Sequence, residues 1–170
     1  MKALVIAGGA PQAALVKELK SRGYTVLLVD RNDKAVAVKY ADKIYPISTL
    51  DVDEIRKVAV NEKVDFVISV CADQVLLVVA QVCEELELPC YIDYQTAKNV
   101  SSKEYMKRIF VENNVPTSKY IVVAEFDAEK IRDMQYPLIV KPVDSYSSRG
   151  VKRVDNIDEL NDAFQTAVKI

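Results

Sequence analysis

The sequence predicts an α/β fold: a Rossmann-like parallel sheet with helices on both faces, followed by a small, incomplete α+β unit. Apolar runs of strand length alternate with helical patterns over the first 95 of the 170 residues, which is typical of a parallel sheet with right-handed crossovers. The alternation stops near Tyr94, and the later extended segments are joined by short, hairpin-like connections. We therefore expect residues 1–95 to form a Rossmann-like domain, 96–116 a linking helix, and 117–170 the first part of a second, truncated domain.

The elements of the first half follow from their hydrophobic patterns. Strands are predicted at residues 2–7, 24–29, 43–47, 64–70 and 90–92, and the run 64–70 is the most strongly apolar. Helices are predicted at 11–22, where Gly23 ends the helix, at 34–39 as a short piece, after a cap at Asp51 or Asp53, and at 72–86.

The second half begins with a helix-start signal. Ser101 and Glu104 match a capping box, which predicts a helix at 102–113 that ends in a left-handed turn at Asn113 or Asn114. Strands are predicted at 118–124, 138–143 and 151–154, and helices at 127–134 and from Asn156 or Asp158 to the last residue. This unit lacks the strands needed to cover its helices, so we expect a chain that stops inside a domain, a fragment of something longer.

Composition excludes several classes of function. The 23 basic and 25 acidic residues are interspersed, with a net charge of −2, so nucleic acid is not expected as a partner. No apolar run reaches the length of a membrane span, and we expect a cytoplasmic protein with no membrane partner. The absence of histidine excludes a histidine-based triad and the common zinc sites. The three cysteines lie in or beside apolar segments and are expected to be buried free thiols.

The most informative stretch is the apolar run Leu138 to Val140, which leads directly into Lys141. An unpaired ammonium is costly to bury, so a lysine at the end of a core strand lies at an exposed edge or faces an anion. A polar loop follows, and its hydroxyl, main-chain N–H and guanidinium groups could bind phosphate oxygens. The loop residues concerned are Ser145, Ser147, Ser148, Arg149 and Gly150. The layout predicts a nucleotide triphosphate site, and the alternative is an ordinary hairpin with a solvated turn.

Two weaker candidates lie in the first half. Gly8 and Gly9 follow the first strand, but Ala10 stands where a dinucleotide fingerprint needs glycine, so Asp30 is interpreted as a strand-end residue. The main-chain N–H groups of Gly8 and Gly9 could still bind a carboxylate or other small anion. Asp73 follows the strongest strand, where it could bind a ligand or cap the next helix.

Three stretches resemble the ATP-grasp superfamily of ligases, in its carbamoyl-phosphate-synthase-like and carboxylate–amine ligase branch. The helix headed by Lys103 leads to Asn114-Val115-Pro116, similar to the family's lysine-headed helix that ends in Gly-Val-Pro. Tyr136 to Pro142 resembles its Phe-Pro-x-x-Val-Lys-Pro strand, and Asp144 to Val151 resembles its phosphate-covering loop. The resemblance covers all 170 residues and makes residues 1–95 a pre-ATP-grasp domain. Family loops often carry two or more glycines, whereas this one has only Gly150.

The resemblance implies a function. Lys103 and Lys141 would contact ATP phosphates, under a flap that includes Ser145, Ser147, Ser148, Arg149 and Gly150. The full protein would use ATP and Mg²⁺ to activate a carboxylate as an acylphosphate for attack by an amine, with its metal ligands beyond residue 170. This fragment alone would then be inactive, and a homodimer is one option for its assembly. The alternatives are an NAD-binding oxidoreductase domain and a non-catalytic module that binds a small molecule.

Overall fold

The computed structural model describes residues 1–143, 145 and 148–170. The chain divides into two units, Met1–Lys98 and Asn99–Ile170.

The first unit contains a parallel four-stranded sheet in the order β3-β2-β1-β4. Its strands are β1 (Lys2–Ile6), β2 (Thr25–Val29), β3 (Lys43–Tyr45) and β4 (Phe66–Ile68). Its helices are α1 (Ala10–Ser21), α2 (Val52–Glu62) and α3 (Asp73–Glu85), with a 3₁₀ turn at Val38–Tyr40. A fourth helix, α4 (Tyr94–Ser101), spans the boundary between the units.

The core lies on both faces of this sheet, because side chains alternate between the faces along each strand. Leu4 and Ile6 of β1 are fully buried on one face in a cluster that includes residues of α2 and α3. Ala3 and Val5 are fully buried on the other face, against residues of α1. Burying a leucine, isoleucine or valine side chain contributes about 1.5–3 kcal/mol. The predicted fold class, with helices on both faces of a parallel sheet, is confirmed.

A polar cluster joins the amino-terminal ends of the strands to α2. The carboxylate of Glu62, the last residue of α2, accepts hydrogen bonds from Lys43, Tyr45 and Lys2. The donors Lys43 and Tyr45 lower the pKa of Glu62 from 4.5 to about 2. The negative charge of Glu62 therefore stabilises this end of the sheet at neutral pH.

The second unit is built around an antiparallel pair, β5 (Leu138–Val140) and β6 (Lys152–Val154). Its helices are α5 (Lys103–Glu112), α6 (Ala128–Ile131) and α7 (Ile157–Ala167). Asn156 caps α7 by accepting a hydrogen bond from the Glu159 N–H, one of the two predicted caps. A small core forms where Val154 and Leu160 are buried against Leu138 and Val140.

Two predicted strands are wrong. The described residues 90–92 form no strand, since Tyr91 is 58% exposed and Cys90 is also exposed, whereas a parallel strand is buried on both faces. Residues 118–124, all described, also form no strand. Ile121 and Val122 give that segment β propensity, but its backbone pairs with neither β5 nor β6. A strand needs a hydrogen-bonded neighbour, and propensity alone does not supply one.

The predicted capping box is wrong by one residue. Ser101 is the last residue of α4, a helix that the sequence did not predict, and Ser102 has the extended backbone of a cap. The Ser102 hydroxyl accepts a hydrogen bond from the Tyr105 N–H at 3.4 Å. The predicted left-handed turn is present at Asn114, whose φ is 55°.

The cysteines are free, as predicted, but only Cys83 is buried, whereas Cys71 and Cys90 are exposed. Burial and the neighbouring Cys90 raise the pKa of Cys83 to about 12. Within the described parts of the chain, no helix is both long enough and apolar enough to cross a membrane.

Candidate functional site

The second unit contains a cleft of about 1200 Å³ with a strongly cationic lining. Its basic side chains come from α5, the segment before α6 and the chain after β5: Lys103, Lys107, Lys119, Lys141 and Arg149. Glu104 and Asp133 are its carboxylates, so the described lining has three more positive than negative charges. The apolar lining includes Ile121, Val122, Met134, Leu138 and Phe164. Apolar walls with a few charged groups are typical of a site for a small organic ligand.

Lys141 is the first residue after β5, and its side chain is exposed and lines the cleft. In the described part of the chain, Lys141 has no hydrogen bond or ion pair. The sequence predicted either an exposed edge or an anion site around Lys141, and the observed position of Lys141 is compatible with both. Its ammonium is available to an anion in the cleft.

Lys103 reaches the same cleft from the first position of α5, and its side chain is half-buried. Its Nζ donates a hydrogen bond to the carbonyl oxygen of Val143 at 3.1 Å and a second to that of Ser145. An ammonium group has three N–H donors, so one donor has no partner among the described residues and could meet a ligand.

Ser145 and residues 148–151 are the described part of the connection between Pro142-Val143 and β6. The Ser145 hydroxyl donates a hydrogen bond to the Arg149 carbonyl oxygen at 2.9 Å. Ser148 and Gly150 have left-handed backbones, with φ of 57° and 68°. A Cβ atom on Gly150 would lie 2.9 Å from Cγ of Pro142, so glycine also suits the close packing there.

The predicted loop residues do not all line the cleft. Ser145 and Arg149 line it together with the two lysines, whereas the exposed Ser148 and the tightly packed Gly150 do not. Ser147 lies outside the described residues.

Two lysines that the sequence reasoning did not select complete the cationic lining. Lys107 donates hydrogen bonds to the side chains of Thr117 and Ser118, the latter at 2.8 Å. Lys119 donates to the Asp133 carbonyl oxygen at 2.9 Å. The spacing of the lysines in the sequence could have identified Lys107. It follows Lys103 by one helical turn and so lies on the same face of α5.

The candidates of the first unit lie at the carboxyl end of the parallel sheet. The Gly8 N–H donates to the Asp30 carboxylate at 2.7 Å, so this N–H already has a partner. Asp30 also accepts from the Asn32 N–H at 2.8 Å, which gives it a local structural role at the end of β2. The Gly9 N–H, at the start of α1, forms no hydrogen bond within the described chain. Anion binding at Gly8 and Gly9 stays a prediction.

Asp73 is the exposed first residue of α3, and the preceding Ala72 occupies the cap position. A ligand role for Asp73 stays a prediction. The sequence reasoning missed Gln12, which is only 4% exposed and whose side-chain amide donates to the Val70 carbonyl oxygen beyond β4. Gln12 thus connects α1 to the turn that precedes Asp73.

Among the described residues, no three Cys, Asp or Glu side chains are grouped so as to hold a metal ion.

The fold and the cleft define the class of the protein: an α/β protein with an open parallel sheet and, in its second unit, a cationic cleft of ligand size. Residues 109–170 match the family described as "D-ala D-ala ligase C-terminus". The chain is 30% identical, over 169 residues, to formate-dependent phosphoribosylglycinamide formyltransferase of Haemophilus ducreyi. These matches confirm the resemblance to ATP-grasp ligases that was predicted from the sequence.

Solved structures share the fold. N5-carboxyaminoimidazole synthetase from Staphylococcus aureus, complexed with ADP, has a TM-score of 0.79 at 18% identity, over 98% of this chain and 44% of that one. The corresponding ribonucleotide synthetase from Thermotoga maritima has a TM-score of 0.77 at 18% identity, over 95% of this chain and 42% of that one. The match to the Haemophilus ducreyi enzyme covers 96% of this chain and 42% of the enzyme. The chain thus spans less than half the length of these relatives.

Proposed function

We propose that this chain holds the phosphate groups of ATP for a larger, ADP-forming ligase. In that reaction a carboxylate is activated as an acylphosphate, an amine or similar nucleophile attacks it, and ADP and phosphate are released. The observation that carries the proposal is the ammonium of Lys141, which has no partner among the described residues and lines one cleft together with Lys103 and Arg149.

The cleft suits a nucleotide in its chemistry. Lys141 and Arg149 are exposed cations that can approach phosphate oxygens, and Lys103 keeps one N–H donor for the same purpose. The Ser145 hydroxyl donates its proton to the Arg149 carbonyl oxygen, so in this arrangement it orders the chain beside Arg149. The apolar side chains at Ile121 and Phe164 provide surface that an aromatic base can cover.

These residues would act by positioning and by charge neutralisation. Phosphoryl transfer needs little acid–base chemistry from the protein, so a histidine-free chain rich in lysine suits it. Cations fixed near the phosphates stabilise the charge that moves during transfer without reorganising at that moment. Magnesium would accompany ATP and would add positive charge at its phosphates.

The relatives support the proposal. A structure with the same fold was solved complexed with ADP, and the Haemophilus ducreyi relative is named a formyltransferase that depends on formate, a carboxylate. We propose small carboxylate and amine substrates for the whole protein by this analogy. Asp73, Gly8 and Gly9 remain the candidates in the first unit for contact with one of them.

The test is calorimetric titration of the 170-residue chain with a non-hydrolysable ATP analogue and with tripolyphosphate. Lys141→Ala should weaken binding by at least about tenfold, the size expected from losing a charge-assisted hydrogen bond. Lys152→Ala is the matched control, because Lys152 is an exposed lysine on β6 that does not line the cleft. Equal affinities in the two variants, with the circular dichroism of each unchanged, would refute the role of Lys141.

A further inference from the structure

Lys103 makes an unusual set of contacts for a lysine at a helix start. Its charge lies at the first position of α5, where the helix dipole disfavours a cation. Its half-buried ammonium has two hydrogen-bond partners in the described chain, and both are neutral main-chain carbonyls, those of Val143 and Ser145. Such a placement is stabilising only if the ammonium forms good hydrogen bonds, and it forms them with the segment that follows β5.

A second side-chain bond continues the same arrangement. The Ser145 hydroxyl donates to the Arg149 carbonyl oxygen at 2.9 Å, while the Ser145 carbonyl accepts from Lys103. Residues 143, 145 and 149 are thereby connected to one another and to α5 through a single ammonium and a single hydroxyl.

We infer that Lys103 is a positioning residue for the phosphate-binding loop, in addition to any contact with phosphate. Two of its N–H donors hold the carbonyls of Val143 and Ser145, and the third has no partner among the described residues and can donate to a phosphate oxygen. We call the two carbonyl bonds the Lys103 clasp. The phosphate contact rests on the proposed function, whereas the clasp itself does not. A loop ordered in advance loses less conformational freedom when the ligand binds, so the clasp favours affinity.

Lys107 is a matched comparison for Lys103. It lies one turn further along the same face of α5, it also lines the cleft, and it also bonds to neighbouring chain. Its acceptors, however, are Thr117 and both the hydroxyl and the carbonyl of Ser118, so its contacts order a different segment.

The experiment is amide hydrogen exchange of the whole 170-residue chain without nucleotide, in Lys103→Met and Lys107→Met. Methionine keeps the apolar stem of lysine but removes its N–H donors. The readout is the Val151 amide, which donates to the Ser148 carbonyl oxygen at 3.3 Å. We expect Lys103→Met to raise its exchange about tenfold, as for the loss of hydrogen bonds from a charged donor, and Lys107→Met to leave it unchanged. Equal exchange of the Val151 amide in wild type and Lys103→Met would overturn the inference.

A conservative variant and a ligand complete the test. Lys103→Arg retains N–H donors and should restore the protection of the Val151 amide. If its protection does not exceed that of the methionine variant, the clasp is also overturned. Titration with tripolyphosphate then separates the two proposals. A loosened loop in Lys103→Met with no phosphate binding by wild type supports the clasp and refutes the proposed function. Phosphate binding with unchanged exchange in Lys103→Met refutes the clasp and leaves the proposed function standing.

Discussion

Replacing Gly150 by alanine should destabilise the second unit in two separable ways. Gly150 has a φ of 68°, and a left-handed backbone costs an alanine about 1–2 kcal/mol. The added Cβ would also lie 2.9 Å from Cγ of Pro142, and relieving such overpacking costs about 1–3 kcal/mol more. The two terms together predict a loss of about 2–5 kcal/mol in the free energy of unfolding.

Gly23→Ala is the matched control, because Gly23 has a φ of 82° but nothing lies within 4 Å of its built Cβ. That variant should lose only the conformational term, about 1–2 kcal/mol. The assay is urea unfolding followed by circular dichroism, with amide exchange of β5 and β6 to assign the Gly150→Ala loss to the second unit. If Gly150→Ala were no more destabilising than Gly23→Ala, the packing of Gly150 against Pro142 would be refuted.

Three further predictions concern stability and reactivity. Glu62 has a folded pKa of about 2 against an ordinary 4.5, so its stabilising contribution is present above about pH 4.5 and is lost as the pH falls towards 2. Acid titration of Glu62→Gln by circular dichroism should lack that component, and an unchanged profile would contradict it. Ser102→Ala should lower the free energy of unfolding by about 1 kcal/mol through loss of the α5 cap. Ser101→Ala should leave the free energy of unfolding unchanged or raise it, because the buried Ser101 hydroxyl has no partner within the described chain. A larger loss of stability in Ser101→Ala than in Ser102→Ala, measured by urea unfolding, would refute the cap assignment. At neutral pH a maleimide should label the two exposed cysteines quickly and Cys83 slowly, since burial and Cys90 raise the Cys83 pKa to about 12; rapid labelling of all three would contradict its burial.

The parallel sheet could be predicted because its strands are buried on both faces. Residues such as Leu4, Val5 and Leu28 form continuous apolar runs that only an inner parallel strand requires, and they are fully buried. The same signal failed at Ile121 and Val122, because an apolar run does not say whether a partner strand is present. The sequence could not decide between Ser101 and Ser102 as the cap of α5, because either hydroxyl can accept the capping hydrogen bond. The tertiary structure determines which serine does so.

The main charged residues of the candidate site could be predicted from the sequence, but the hydrogen bonds that they form could not. Lys141 stands out in the sequence because a core strand has no use for a terminal lysine. The hydrogen bonds from Lys103 to Val143 and Ser145 join residues about forty positions apart in the sequence. Their acceptors are main-chain carbonyls, which every residue has, so the sequence does not identify them. Gln12 was missed for a similar reason, because its partner is the carbonyl of Val70.

We propose above all that the cationic cleft of the second unit holds a triphosphate through Lys141 and Lys103. A crystal structure of this chain with a non-hydrolysable ATP analogue tests it most directly. We expect phosphate oxygens within hydrogen-bond distance of both ammonium groups, with the Lys103 amine still bonded to the Val143 carbonyl. A triphosphate bound instead at the Gly8–Gly9 turn, with Lys141 facing solvent alone, would contradict the account.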